Sequence, residues 1–118
     1  MKKPICPEVF TTAFARELIE FLGGDSSKIE GSDCWRSLGK KYKHMRGKIE
    51  EYFENAEIGD PSYAAYRMVR FCGSSKEWAE GIIEKSEIGN PSYAACRMVN
   101  SCGSSEEWAE GNKRKTEK

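Results

Sequence analysis

Residues 57–81 (EIGDPSYAAYRMVRFCGSSKEWAEG) and 87–111 (EIGNPSYAACRMVNSCGSSEEWAEG) are identical at twenty of 25 positions, without a gap, at a spacing of 30 residues. A unit of this length cannot bury its own apolar face, so neighbouring copies must share one. The duplication therefore constrains the fold more than any other feature of the chain. It predicts an all-α protein, a helical bundle or short α-solenoid. Two tandem 30-residue αα-hairpin repeats, 57–86 and 87–111, would follow an N-terminal helical cap (1–56) and precede a basic polar tail that runs to residue 118.

Each copy punctuates itself as two helices. Asp60 and Asn90 suit an N-cap, and Pro61 and Pro91 follow at the first helical position, where the missing N–H costs nothing. Ala65, Met68, Val69 and Cys72 recur at helical spacing, as do Ala95, Met98, Val99 and Cys102. Gly73 and Gly103 offer left-handed C-caps. Ser74 with Glu77, and Ser104 with Glu107, match a capping box. The second helix is expected to bury Trp78, Ile82 and Ile83 and to end at Gly89. Tyr66, Arg70 and Phe71 stand where the second copy has Cys96, Asn100 and Ser101, which predicts a different outward surface in each copy. Ile82-Ile83 gives way to Asn112-Lys113, as expected of an array that ends in a polar face. The tail from Asn112 to Lys118 is expected to fray.

The first half reads as two helices. Pro7 to Leu22 places Phe10, Phe14, Leu18 and Phe21 on one face, and Gly23-Gly24 stops it. After a polar loop, Ser32 or Asp33 would cap a long helix. Its seam of Trp35, Leu38, Tyr42, Met45, Ile49 and Tyr52 alternates by three and four. Gly39 and Gly47 weaken the case that this helix is unbroken. The seam could bury within its own domain or in a homodimer. The run Gly47 to Glu51 parallels Gly81 to Lys85 with four extra residues before the next turn, so the first half could hold a longer, diverged copy.

With 38% hydrophobic residues and three Trp, the chain can build a core despite a mean hydropathy of -0.71. Net charge is zero, so no global field selects nucleic acid or a membrane surface. No apolar run reaches the ~20 residues a membrane helix needs. Pro4, Pro7 and Glu8 interrupt what would be a signal-peptide core, so a cytoplasmic location is the expectation. The five cysteines, Cys6, Cys34, Cys72, Cys96 and Cys102, are odd in number and widely spaced. They read as reduced and mostly buried thiols, with Cys96 a candidate exposed one because its counterpart is Tyr66.

The joints Glu57-Ile58-Gly59-Asp60-Pro61 and Glu87-Ile88-Gly89-Asn90-Pro91 resemble those of the short HEAT-like repeats of the phycobilisome-lyase type, over residues 57–111. The second helix departs from that pattern, with Glu77-Trp78-Ala79-Glu80-Gly81 in place of a Val-Arg-rich and Ala-rich stretch. The resemblance implies an α-solenoid that serves as a binding scaffold, and it carries no catalytic residues to transfer.

Little in the chain points to catalysis. His44 is the only histidine and lacks ligands at metal spacing, no Cys-x-x-Cys occurs, and no phosphate loop or nucleophile elbow is present. No metal and no cofactor are expected. Glu77 and Glu80 recur as Glu107 and Glu110, but capping and the helix dipole account for them. Two surfaces remain. Tyr63, Arg67 and Arg70, with Tyr93 and Arg97, form a repeat face rich in residue types found at protein-binding hot spots. Arg36, Lys40, Lys41, Lys43, Arg46 and Lys48 form a basic stretch that, with the Lys113-Arg114-Lys115 tail, could dock on nucleic-acid phosphates or an acidic partner. The leading expectation is a non-enzymatic protein-protein interaction module. A small nucleic-acid-binding protein is the alternative, and a thiol-dependent enzyme or redox sensor at Cys96 or Cys34 a third.

Overall fold

Side-chain caps set most of the helix boundaries. The computed structural model describes residues 3–29 and 34–116, with side chains through Asn112. Among these residues the chain is all helical and has no strand. The helices are α1 (Thr12–Phe21), α2 (Cys34–Lys41), α3 (Arg46–Glu54), α4 (Pro61–Cys72), α5 (Lys76–Lys85), α6 (Pro91–Cys102) and α7 (Glu106–Thr116). The basic tail expected to fray continues α7 as far as Thr116. The expected cap of α2, Ser32 or Asp33, lies outside the described residues.

α1 begins at Thr12 rather than Pro7. The Thr11 hydroxyl accepts from the Phe14 N–H at 3.1 Å, and the residues before it are spent elsewhere. The Tyr52 hydroxyl donates to the Pro4 carbonyl at 2.8 Å, and the Asp60 N–H reaches the Pro7 carbonyl. Residues 4–10 thus run as a strap across α3 and the turn before α4. Phe10 fastens the strap, with its ring centroid 5.0 Å from that of Trp35 and 5.8 Å from that of Phe53. Each such pair adds about 0.5–1.5 kcal/mol beyond the area it buries.

The long helix expected after residue 33 is broken. Tyr42 ends α2, residues 43–45 form a 3₁₀ turn, and α3 starts at Arg46. The Tyr42 hydroxyl is drawn inward and donates to the Asp25 carbonyl. The bend folds the seam around the chain's own core. Trp35, Leu38, Tyr42, Met45, Ile49 and Tyr52 are all buried there. The apolar stripe that a seam-mediated homodimer would need is therefore covered within one chain.

α4 and α6 form as their sequences predict. Asp60 and Asn90 accept from the N–H groups of Tyr63 and Tyr93, and Gly73 and Gly103 close both helices in the left-handed conformation. The capping boxes do not form. Ser75 and Ser105, one residue later than expected, cap α5 and α7 by accepting from Trp78 and Trp108. Ser74 and Ser104 are buried and donate instead to Glu50 and Glu80, at 2.6 Å each. α5 ends at Lys85, before Gly89. Gly59 and Gly89 serve the turns that precede Asp60 and Asn90, at φ +83° and +70°, a region open to Gly but strained for most residues.

The helices that begin each hairpin pack in a row, α2 on α4 and α4 on α6. Three positions on them recur at 30-residue steps and are buried every time. They are Cys34, Ala64 and Ala94; Trp35, Ala65 and Ala95; and Leu38, Met68 and Met98. The second helices repeat as well. The Trp78 indole donates to Glu54 and the Trp108 indole to Glu84, at 2.7 Å each. α3 therefore stands in gapless 30-residue register with α5, and the four extra residues of the Gly47–Gly81 comparison do not describe it. Tyr52 and Phe53 occupy the buried places of Ile82 and Ile83.

Two expectations about the array's end change. Tyr66 is no outward residue, since α6 covers it completely. Asn112 is only 3% exposed, its amide donating to the Trp108 carbonyl, so the polar replacement of Ile82 sits inside rather than on the end face.

The row depends on close approach. A Cβ at Gly39 would overlap the Phe71 carbonyl oxygen of α4, whereas one at Gly81, within α5, would meet nothing within 4 Å. Gly39→Ala is expected to destabilise the fold by ~1–3 kcal/mol through overpacking. Gly81→Ala is expected to stabilise it by ~0.5–1 kcal/mol through helix propensity. Urea unfolding of both variants checks the pair, and equal effects would contradict the packing of α2 on α4.

Candidate functional site

Charge separates between the two helix layers. α2 carries Arg36, Lys40 and Lys41, α4 carries Arg67 and Arg70, and α6 carries Arg97; none of the three helices holds an acid. α3 and α5 hold Glu50, Glu51, Glu54, Glu77, Glu80 and Glu84 among four bases. Helical phase explains why the bases of the first layer reach the surface. Arg36, Lys40 and Arg70 fall opposite the buried positions and are exposed, while Arg67 and Arg97 are half-buried beside aromatic rings.

The repeat face is a connected cluster. The Tyr63 and Tyr93 rings pack with centroids 5.9 Å apart across α4 and α6. Arg67 lies over the rings of Tyr63, Tyr66 and Phe71 at 5.0, 5.8 and 5.3 Å, and donates through Nε and Nη2 to the Tyr63 hydroxyl. Arg70 lies 5.3 Å from the Phe71 centroid and donates to the Tyr66 hydroxyl at 2.8 Å. Arg97, reaching back from α6, lies 5.7 Å from the Tyr66 centroid. Among the described residues, no carboxylate pairs with Arg67, Arg70 or Arg97. Their partners are phenolic oxygens and ring faces, which orient a guanidinium without neutralising it. Burial pushes the Tyr66 phenol up, but hydrogen bonds with Arg70, Ser101 and Arg97 outweigh it and leave the group below its ordinary value.

Tyr66, taken from sequence for a variable outward residue, is thus the centre on which two arginines converge. Its burial was not legible, because the ring is covered by the next copy of its own helix. The Ser–Glu and Trp–Glu pairs were also missed, although Glu50 and Glu80, like Glu54 and Glu84, stand 30 residues apart in the sequence.

The basic stretch does not form one face. Arg36, Lys40 and Lys41 lie on α2, Lys43 lies in the turn, and Arg46 and Lys48 lie on α3. Arg46 is committed to the fold, donating to the Gly73 carbonyl at 2.9 Å and pairing with Glu50 at 3.5 Å. Lys48 lines a separate groove of about 460 Å³ with Lys3, Leu22 and Glu51. Exposed His44 stacks on Tyr42, with centroids 6.4 Å apart. The side chains of Lys113, Arg114 and Lys115 lie outside the described residues. Lys40 occupies on α2 the repeat position of Arg70 on α4, so the two predicted surfaces meet along the first layer.

No His, Cys, Asp and Glu cluster suited to a metal occurs among the described residues. The recurring carboxylates are in part structural, since Glu80 accepts from Ser104 and Glu84 from Trp108. All five cysteines are free. Cys96 is exposed beside a groove of about 510 Å³ at the end of the row, shared with Tyr93, Val99 and Ala109. No helix is long and apolar enough to cross a membrane among the described residues. No protein-family model, curated protein or solved structure matches the chain.

Burial pushes the Cys72 thiol up from 9.0 to about 12, with Cys34 adding to the shift, and burial likewise pushes Cys6 up to about 11. The unfolded chain ionises these thiols near their ordinary value while the fold keeps them neutral. Their contribution to stability is therefore complete below pH 9.0 and is lost as the pH rises from there toward about 12. Stability measured by urea unfolding should fall across that window, and Cys72→Ala should shallow the fall. A thiol reagent at neutral pH should label Cys96 first and leave Cys6 and Cys72 intact until unfolding.

Proposed function

We propose that the chain is a non-enzymatic protein-protein interaction module of helical-repeat type. In this reading three hairpins, α2–α3, α4–α5 and α6–α7, form a short α-solenoid that α1 and the strap close at one end. The 30-residue recurrence of buried positions and of the Ser–Glu and Trp–Glu bonds supports it. The likeness to short HEAT-like repeats agrees with such a scaffold. The partner would bind along the first layer, over α2, α4 and α6.

One observation carries the surface assignment. Arg67, Arg70 and Arg97 are held in place by aromatic rings and phenolic oxygens, with no acid of the chain paired to them. Cations fixed before binding lose little rotamer freedom on contact, and Arg and Tyr dominate binding energy at interfaces. A fold that needed these charges for its own stability would pair them with carboxylates, as Arg46 is paired with Glu50.

Nucleic acid is the weaker reading, because its basic stretch turns a corner and one of its members is tied into the fold. A photo-cross-linking residue at position 93, on the first layer, should capture a protein partner in cells. The same residue at position 107, on the second layer, should capture it at least severalfold less. Arg70→Glu should abolish the capture. Labelling from position 107 alone would overturn the surface assignment.

A further inference from the structure

We propose that the first-layer row binds an acidic helical segment of a partner protein, an inference that rests on the surface assigned above and names the chemistry of its occupant. The row offers directed oxyanion donors. The guanidinium of Arg67 faces the Tyr63, Tyr66 and Phe71 rings, and that of Arg70 faces the Phe71 ring. A guanidinium stacked this way keeps its edge for a ligand, and that edge matches a carboxylate in two parallel hydrogen bonds.

Spacing favours a helix as the carrier. Lys40 and Arg70 occupy equivalent positions on α2 and α4, and Arg67 and Arg97 on α4 and α6. Packed helices lie ~8–10 Å apart, so each pair is separated by about that distance across the row. Acidic residues at i and i+7 of a helix are ~10.5 Å apart on one face. One such helix, laid across α2, α4 and α6, sets a carboxylate against each step. The half-buried rings of Tyr63 and Phe71 and the exposed Tyr93 supply apolar contact between the charges.

Charge distribution favours a short acidic segment over nucleic acid. Net charge is zero, and the layer behind the row is rich in Glu. A long polyanion would meet both layers and gain little from counterion release on so few bases, whereas a short segment meets only the row.

The test measures fluorescence anisotropy with two labelled alanine-based peptides of about three helical heptads. One carries Glu at each i, i+3 and i+7 position, and the other carries Gln there. A single-stranded and a duplex oligonucleotide serve as the competing class. The Glu peptide is expected to bind at least tenfold more tightly than the Gln peptide and more tightly than either oligonucleotide at about 150 mM salt. Lys40→Glu and Arg70→Glu should each weaken it about three- to tenfold. Lys40 makes no contact that the fold requires, so its variant stays informative if Arg70→Glu unfolds. Equal binding of the Glu and Gln peptides, or tighter binding of an oligonucleotide lost in Lys40→Glu, overturns the acidic-helix assignment. The position-93 cross-link separates the two levels. If it persists while the Glu peptide fails, the surface stands and its occupant is not acidic; if it is lost as well, the surface itself is wrong.

Discussion

The structure depends on how closely the first helix of each hairpin approaches the next. Ala64, Ala65, Ala94 and Ala95 are fully buried where α4 and α6 meet their neighbours, and Gly39 brings α2 onto the α4 backbone at Phe71. Small side chains let dispersion contacts form along the helix backbones, and no cavity is left that a larger residue would fill. A row set this close holds Tyr63 against Tyr93 and places Arg97 over Tyr66. The surface argued to bind a partner is therefore a consequence of the packing beneath it.

The second layer secures the row by polar means. Ser74 and Ser104 are buried hydroxyls, and each donates to a glutamate one hairpin back; Trp78 and Trp108 do the same through their indoles. These bonds join non-adjacent helices and satisfy buried donors that would otherwise cost about 1–3 kcal/mol each. They also account for half of the carboxylates whose recurrence raised the question of catalysis. A glutamate that already accepts from a serine or a tryptophan is poorly free to shuttle protons.

The two ends of the array close differently. At the first end, α1 and the strap cover α2 and α3 with an aromatic cluster of Phe10, Phe14, Trp35, Tyr52 and Phe53. At the other end the chain substitutes rather than covers. Cys96 and Ser101 replace a tyrosine and a phenylalanine that the next hairpin would have buried, and Asn112 replaces an isoleucine. Smaller and more polar residues lower the cost of leaving that face in water.

Much of the local structure was legible in the chain itself. The Asp60-Pro61 and Asn90-Pro91 starts, the Gly73 and Gly103 stops and the apolar spacing of α4 and α6 are local rules, and a near-identical repeat states them twice. The seam from Trp35 to Tyr52 was visible as core but not as bent, because periodicity reports which residues are buried and not whether the backbone turns between them. Tertiary structure alone decided that Ser75 and not Ser74 caps α5, since a glutamate 24 residues earlier competes for the Ser74 hydroxyl. It also decided that Tyr66 is interior and that Lys40 lies in line with Arg70, because both follow from helices packing side by side. Residue order carries the helices and their caps; neighbours brought together by folding determine which side chains remain outside and which charges go unpaired.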